Sequence, residues 1–226
     1  MFEQEIEMEQ RQSSVVPLLL IVAMILTIVG VAGYYLIENR KVLASADAAK
    51  LVAAELKKAG PSTIHFQAGI VTASVQERPH DPNYRLLEKA GMLTIGKDQD
   101  YGRRTPIVLT AAGRKMFEGL PGVSRTKEDK EKSETYLVPI AERVLVGTPQ
   151  VTMNGIGRAT VEFIWEWQPN QVGEFFEASG PLVKSFNTWD RATLIDKYGA
   201  KFYHGQPTKA TMSFAREGTE WHAVSE

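Results

Sequence analysis

The chain has 226 residues, with 26 Lys plus Arg against 27 Asp plus Glu, 43% apolar residues and no Cys. That balance excludes the disordered and collagen-like classes, and a formal charge of -1 gives the molecule as a whole no polyelectrolyte partner. The absence of Cys removes disulfides, thiolate metal sites, iron–sulfur clusters and thiol nucleophiles.

Residues 1–14 form an acidic tail carrying Glu3, Glu5, Glu7 and Glu9. From Val15 to Ile37 follow 23 residues without a charge. As a helix rising ~1.5 Å per residue they cover about 34 Å, enough for a bilayer core of about 30 Å. The run is longer than most globular helices and has no polar face, so it reads as one transmembrane helix. A cleaved signal peptide fits less well, because the segment before the run is acidic and the tripeptide Ala44-Ser45-Ala46 lies well past Ile37. Within the run Ala23, Thr27, Gly30 and Gly33 fall on one helical stripe of low bulk, the arrangement that lets a second helix approach. Tyr34 and Tyr35 close the run where interfacial aromatics belong. Arg40, Lys41, Lys50 and Lys57 follow the span, against Arg11 alone before it. This count favours a cytoplasmic C-terminal domain, although a domain of this size is translocated largely regardless of charge.

Beyond the span, Ser45 is positioned to cap a helix through Ala59, with Ala49, Val52, Ala53 and Leu56 on its apolar stripe and Gly60-Pro61 as the stop. Ile64 to Val75 reads as extended. Asp81-Pro82 then marks a helix start, and Gly91 ends that helix. Met92 to Ile95 and Pro106 to Leu109 are strands around a polar hairpin tip, and Thr110 caps a helix of sequence AAGRKMFEG. Residues 38–123 make up this helix and hairpin portion. Residues 124–135 hold eight charges, four of each sign, and read as a linker or exposed excursion. The portion 136–226 is mostly antiparallel sheet. Tyr136 to Val146 and Arg158 to Gln168 are strands around an Asn154-Gly155 turn, with Ala159, Val161, Phe163, Trp165 and Trp167 on one face. Short helices and loops fill Gly173 to Ala200, and a last hairpin runs from Thr208 to Val224 around Glu217-Gly218. The fold class is α+β.

Two glycine patterns invite a nucleotide reading. Gly91 to Gly96-Lys97 resembles a phosphate loop but places Asp98 where Ser or Thr must reach magnesium, and its middle is an apolar strand. Gly155 to Thr160 lacks a third Gly and leads into a strand, so it is turn chemistry. His65, His80, His204 and His222 are scattered without ligand spacing, and no nucleophile elbow occurs. Glu162 and Glu166 share a strand face about 13 Å apart, too far for a glycosidase pair. We therefore expect no catalytic residue, cofactor or metal site, and no small-molecule substrate is identified.

Asn83 to Leu93, followed by Pro106 to Arg114, resembles the second helix, wing and following helix of winged-helix domains. In that family the helix and wing contact DNA, which implies Arg85 and Lys89 in the groove and Arg103 and Arg104 at the wing. Residues 38–123 carry 13 basic and 9 acidic side chains. The preceding helix of such domains is replaced here by the extended Pro61 to Pro79. The overall layout resembles uncharacterised bacterial single-span membrane-anchored proteins. The expected function is a non-enzymatic interaction or accessory subunit of a membrane complex, held in the cell membrane and partnered by lipid and another membrane or membrane-proximal protein. The alternative is a membrane-tethered DNA-binding regulator.

Overall fold

A computed structural model describes residues 2–39, 42–74, 78–128, 133–198 and 202–224, with backbone only at 2–15, 37–39, 102, 128 and 198. The expected positions Arg40, Lys41, Val75 and Ala200 lie outside the described residues. The fold is α+β. One long N-terminal helix, α1 (Phe2–Asn39), precedes a body of shorter helices on an antiparallel sheet of eight strands. The acidic segment is part of α1, not a separate tail.

The next helix, α2 (Ser45–Lys58), departs from expectation in two ways. Its N-cap is Ala44, without a side-chain cap. Its buried stripe is Ala48, Val52 and Leu56, while Ala53 is exposed. The spacing of four residues was legible, but the face was displaced because Leu43, just before the helix, is drawn into the same core.

The sheet is ordered β2-β3-β1-β5-β6-β7-β8, with β4 also paired to β5. These strands are β1 (Ser62–Thr72), β2 (Leu93–Ile95), β3 (Arg104–Leu109), β4 (Ser124–Glu128), β5 (Ser133–Met153), β6 (Arg158–Pro169), β7 (Thr208–Glu217) and β8 (Glu220–Val224). The helices α3 (Pro82–Lys89) and α4 (Ala111–Gly119) flank β2 and β3, while α5 (Pro181–Lys184) and α6 (Thr188–Tyr198) lie between β6 and β7 in sequence. Thr110 caps α4 as expected, accepting from Gly113 N at 2.9 Å.

The β1 alternation changes phase at Gly69. Residues 64, 66 and 68 are buried opposite β5, but Val71 is buried opposite Thr105 of β3. Gly69 sits at this change with a positive φ of 105°, a conformation that glycine adopts without strain.

Two apolar cores result. The first gathers Phe66, Tyr84, Phe117, Tyr136, Ile140, Phe176 and Leu194 from β1, α3, α4, β5 and the segment after β6. Phe66 is stacked on Tyr136 at 5.1 Å and tilted against Phe117 at 5.4 Å. The second packs Leu43, Val52 and Leu56 against Ala159, Val161, Phe163 and Phe214. The alternating face expected on β6 is indeed the core face, with Trp167 buried and Trp165 half-buried. Arg143 lies 4.5 Å from the Trp167 ring and donates to the carbonyls of Ala59 and Gly60, joining β5 to the end of α2.

The boundary expected at 124–135 is not a linker. Ser124–Glu128 and the start of β5 pair as a hairpin from Ser124↔Leu137 to Glu128↔Ser133, and each core draws on both sides of it. Eight charges concealed the strands because Arg125 and Lys127 oppose Tyr136 and Glu134 across the pair, where charge is accommodated without burial. The tip, residues 129–132, lies outside the described residues.

Candidate functional site

Three places bear on function: the apolar helix, the outer face of α3, and a groove at the β4–β5 hairpin. Val16–Leu36 of α1 is long and apolar enough to cross a membrane, and none of it is buried within the chain. Thr27 satisfies its hydroxyl by donating to the Ala23 carbonyl at 2.8 Å. A Cβ added at Gly30 or Gly33 would meet nothing within 4 Å. The stripe of Ala23, Thr27, Gly30 and Gly33 is thus uncovered among the described residues. Ordinary water-exposed helices carry a polar face, and this segment has none.

On α3 the structure separates the four residues that the winged-helix resemblance groups together. Arg85 donates to Asp190 of α6 at 2.5 Å, and its guanidinium lies 5.9 Å from the Phe186 ring. Lys89 places its ammonium 4.2 Å over the same ring and donates to Ser185 Oγ at 3.1 Å. Lys197 of α6 meets Asp81, the residue before α3, at 3.5 Å. Arg85 and Lys89 therefore hold the C-terminal half against α3, and their face is not the free groove-reading face that the resemblance implies. Arg103 and Arg104 are exposed on the hairpin between β2 and β3, where Arg104 meets Asp100 at 3.6 Å. That hairpin is fastened to the α3 entry through His80 Nε2 and Asp98 Oδ1, 2.8 Å apart, with Thr105 Oγ1 donating to the same oxygen at 2.8 Å. His80 holds the Asp98 carboxyl below the ordinary carboxylate range, with Thr105 adding to the effect. Asp98, which spoils the phosphate-loop pattern, is a structural clamp here.

The groove has a volume of about 630 Å³. Ala68 and Gly69 of β1, Ile107 to Leu109 of β3, Phe117 of α4, and Leu120 and Val123 after it form its apolar wall. Arg114, Glu118, Arg125, Glu134 and Tyr136 form its polar rim. Arg125 grips Glu134 with two bonds, Nε to Oε2 at 2.7 Å and Nη2 to Oε1 at 2.6 Å, and Tyr136 donates to Oε2 at 2.9 Å. The Arg125 hydrogen bond pushes the Glu134 carboxyl below its usual range. Burial, and then the bond to Glu134, pushes the Tyr136 phenol up. Arg114 and Glu118, four apart on α4, make no side-chain hydrogen bond or ion pair among the described residues.

Sequence reading missed this rim entirely. Its one signal was the alternation of Arg125 with Lys127 and of Glu134 with Tyr136 about a charged centre, the pattern of a hairpin whose charges share a face. Among the described residues, no three His, Asp or Glu side chains gather to hold a metal. His204 is instead enclosed beside Glu177, whose Oε2 is 3.2 Å from its Nδ1 and accepts from its backbone N–H at 2.8 Å.

No family model, curated protein or solved structure matches the chain.

Proposed function

We propose that the protein is a single-pass membrane-anchored, non-enzymatic interaction or accessory subunit of a membrane complex, with the groove as its docking surface. The observation that carries this reading is the build of the groove, an apolar wall beside a rim in which Arg125, Glu134 and Tyr136 are bonded to one another. Polar side chains held in a fixed arrangement at the mouth of an apolar groove suit recognition of a partner surface. The apolar wall and Arg114, which makes no side-chain hydrogen bond or ion pair among the described residues, supply what a partner's apolar segment with a negative group would meet.

The anchor reading takes Val16–Leu36 as retained in the mature chain, with the charge count after the span favouring a cytoplasmic body. The DNA-binding alternative is the weaker one, since Arg85 and Lys89 are engaged with α6 and the turn before it. Native-mass analysis after detergent extraction tests the proposal. A second chain should co-purify with the uncleaved protein, and Val108→Asp together with Arg114→Glu should release it. A strictly monomeric particle, or a partner indifferent to both substitutions, would refute it. A reporter fused after Glu226 that is active only outside the cytoplasm would reverse the orientation.

A further inference from the structure

We infer that the crown of the β5–β6 hairpin rests in the lipid headgroup layer beside the anchor, with Ile156 inserted as an apolar foot. The inference rests on the reading of Val16–Leu36 as a retained span.

The chain itself brings the body down to the membrane. Leu43 is 2% exposed, fixed in the second core, and stands seven residues after Leu36. Because α1 stays helical to Asn39, those seven residues reach at most about 19 Å, three at ~1.5 Å and four extended at up to ~3.6 Å. The headgroup layer occupies roughly 5–7 Å of that distance.

The geometry of α2 then decides which end of the sheet is lowered. Arg143, which pairs with Trp167 across β5 and β6, holds the carbonyls at the C-terminal end of α2. α2 also packs against β8. β8 pairs with β7 over Ser213 to Glu217, and these β7 positions lie beside Arg158 to Thr160 of β6. From Trp167 to Thr160 is about 23 Å along a strand, and the 14 residues of α2 span about 21 Å. Only the N-terminal end of α2 reaches β8. Leu43 and Ser45 therefore lie at the end of the sheet that carries the Asn154–Gly157 turn and the turn at Gly218. Arg216 N donates to Gly157 O at 2.8 Å and ties the two turns together.

At this end Ile156 is 77% exposed, between Gly155 at φ 122° and Gly157 at φ 68°. A β-branched aliphatic side chain is out of place at the crown of a turn bathed in water, where Asn, Gly and Asp prevail. It suits an interface that accepts apolar side chains. Val42, at the exit from the anchor, is also exposed. The neighbouring charges nearly cancel, Arg158 and Arg216 against Glu217 and Glu220, so insertion driven by the aliphatic side chain should not require anionic lipid.

The chain has no Cys, so Ile156→Cys gives a unique attachment point for an environment-sensitive fluorophore on the full-length protein. Trp189→Cys, on the exposed face of α6 over the first core, is the water reference. Both are reconstituted into phosphatidylcholine vesicles. The label at 156 should emit at shorter wavelength, resist aqueous iodide several-fold better than the label at 189, and be quenched by spin-labelled lipid. Equal iodide quenching at the two sites, in a protein that floats with the vesicles, would overturn the inference and leave the anchor standing. Protection at 156 only when anionic lipid is added would overturn apolar insertion. A protein that fails to float after alkaline washing would remove the anchor, and the inference with it.

Discussion

Replacing Gly113 by Ala in α4 should destabilise the protein, although the same change in an open helix stabilises it by about 1 kcal/mol. The cause is a close approach. A Cβ at Gly113 would lie 2.0 Å from the Met92 carbonyl oxygen and 2.8 Å from its carbon. Restoring an ordinary contact of ~3.4 Å moves α4 away from the turn before β2 by about 1.4 Å. That displacement strains Thr110 Oγ1 to Gly91 O at 2.6 Å and Thr110 N to Met92 O at 3.1 Å, the bonds that seat the helix. Overpacking of this kind costs about 1–3 kcal/mol, and each weakened hydrogen bond about 1 kcal/mol more. After the gain in helix propensity, a net loss of roughly 2–4 kcal/mol remains, which lowers the melting temperature by about 5–15 °C for a chain of this size. Circular dichroism melts of the full-length protein in detergent would measure it. Gly119→Ala on the same helix is the matched control, because its Cβ meets nothing within 4 Å. A Gly113→Ala protein melting at or above the parent would show that α4 is not seated by this contact.

Acid should weaken the β4–β5 hairpin in a defined window. The Glu134 carboxyl lies below its ordinary value of 4.5 in the folded state, so its contribution is fully present above that value and is lost as the pH falls through the lower, folded one. The gap in urea midpoint between the parent and Glu134→Gln should thus stay constant above about pH 5 and close below it; a gap that widens on acidification would contradict the sign. In a double-mutant cycle, Arg85→Ala and Asp190→Ala should couple by about 1 kcal/mol, between the values usual for exposed ion pairs and for charge-assisted hydrogen bonds, because the two side chains are 39% and 16% exposed. A coupling near zero would mean that α6 is held by Phe186 and its neighbours alone.

What could be read from the sequence was whatever depends on local periodicity. The long apolar helix announced itself through an unbroken uncharged run, and β6 through alternation strict enough to assign its core face. The Thr110 cap was legible because its acceptor and donor are three residues apart. Pairings across long separations were not. Arg85 and Asp190 are 105 residues apart, and nothing near Arg85 distinguishes a side chain that grips another helix from one that grips a phosphate. The groove rim failed for a related reason: Arg125 and Lys127 of β4 and Glu134 of β5 share a largely exposed face, so no hydrophobic alternation betrays the two strands. Asp81-Pro82 marks the start of α3 in the sequence, but the Asp81 side chain makes no cap hydrogen bond and instead meets Lys197, so that start relies on the preset φ of Pro82.

The 21-residue β5 has a bearing on how the body would come apart. Severing the backbone between residues 128 and 133 would leave one fragment with α2, β1, α3 and β3, and another with β5, β6 and β7. Each apolar core takes side chains from both. The cut pieces would have no reason to separate: they would remain clasped as a two-chain particle, and a protease nicking that tip would change the gel pattern without freeing a domain.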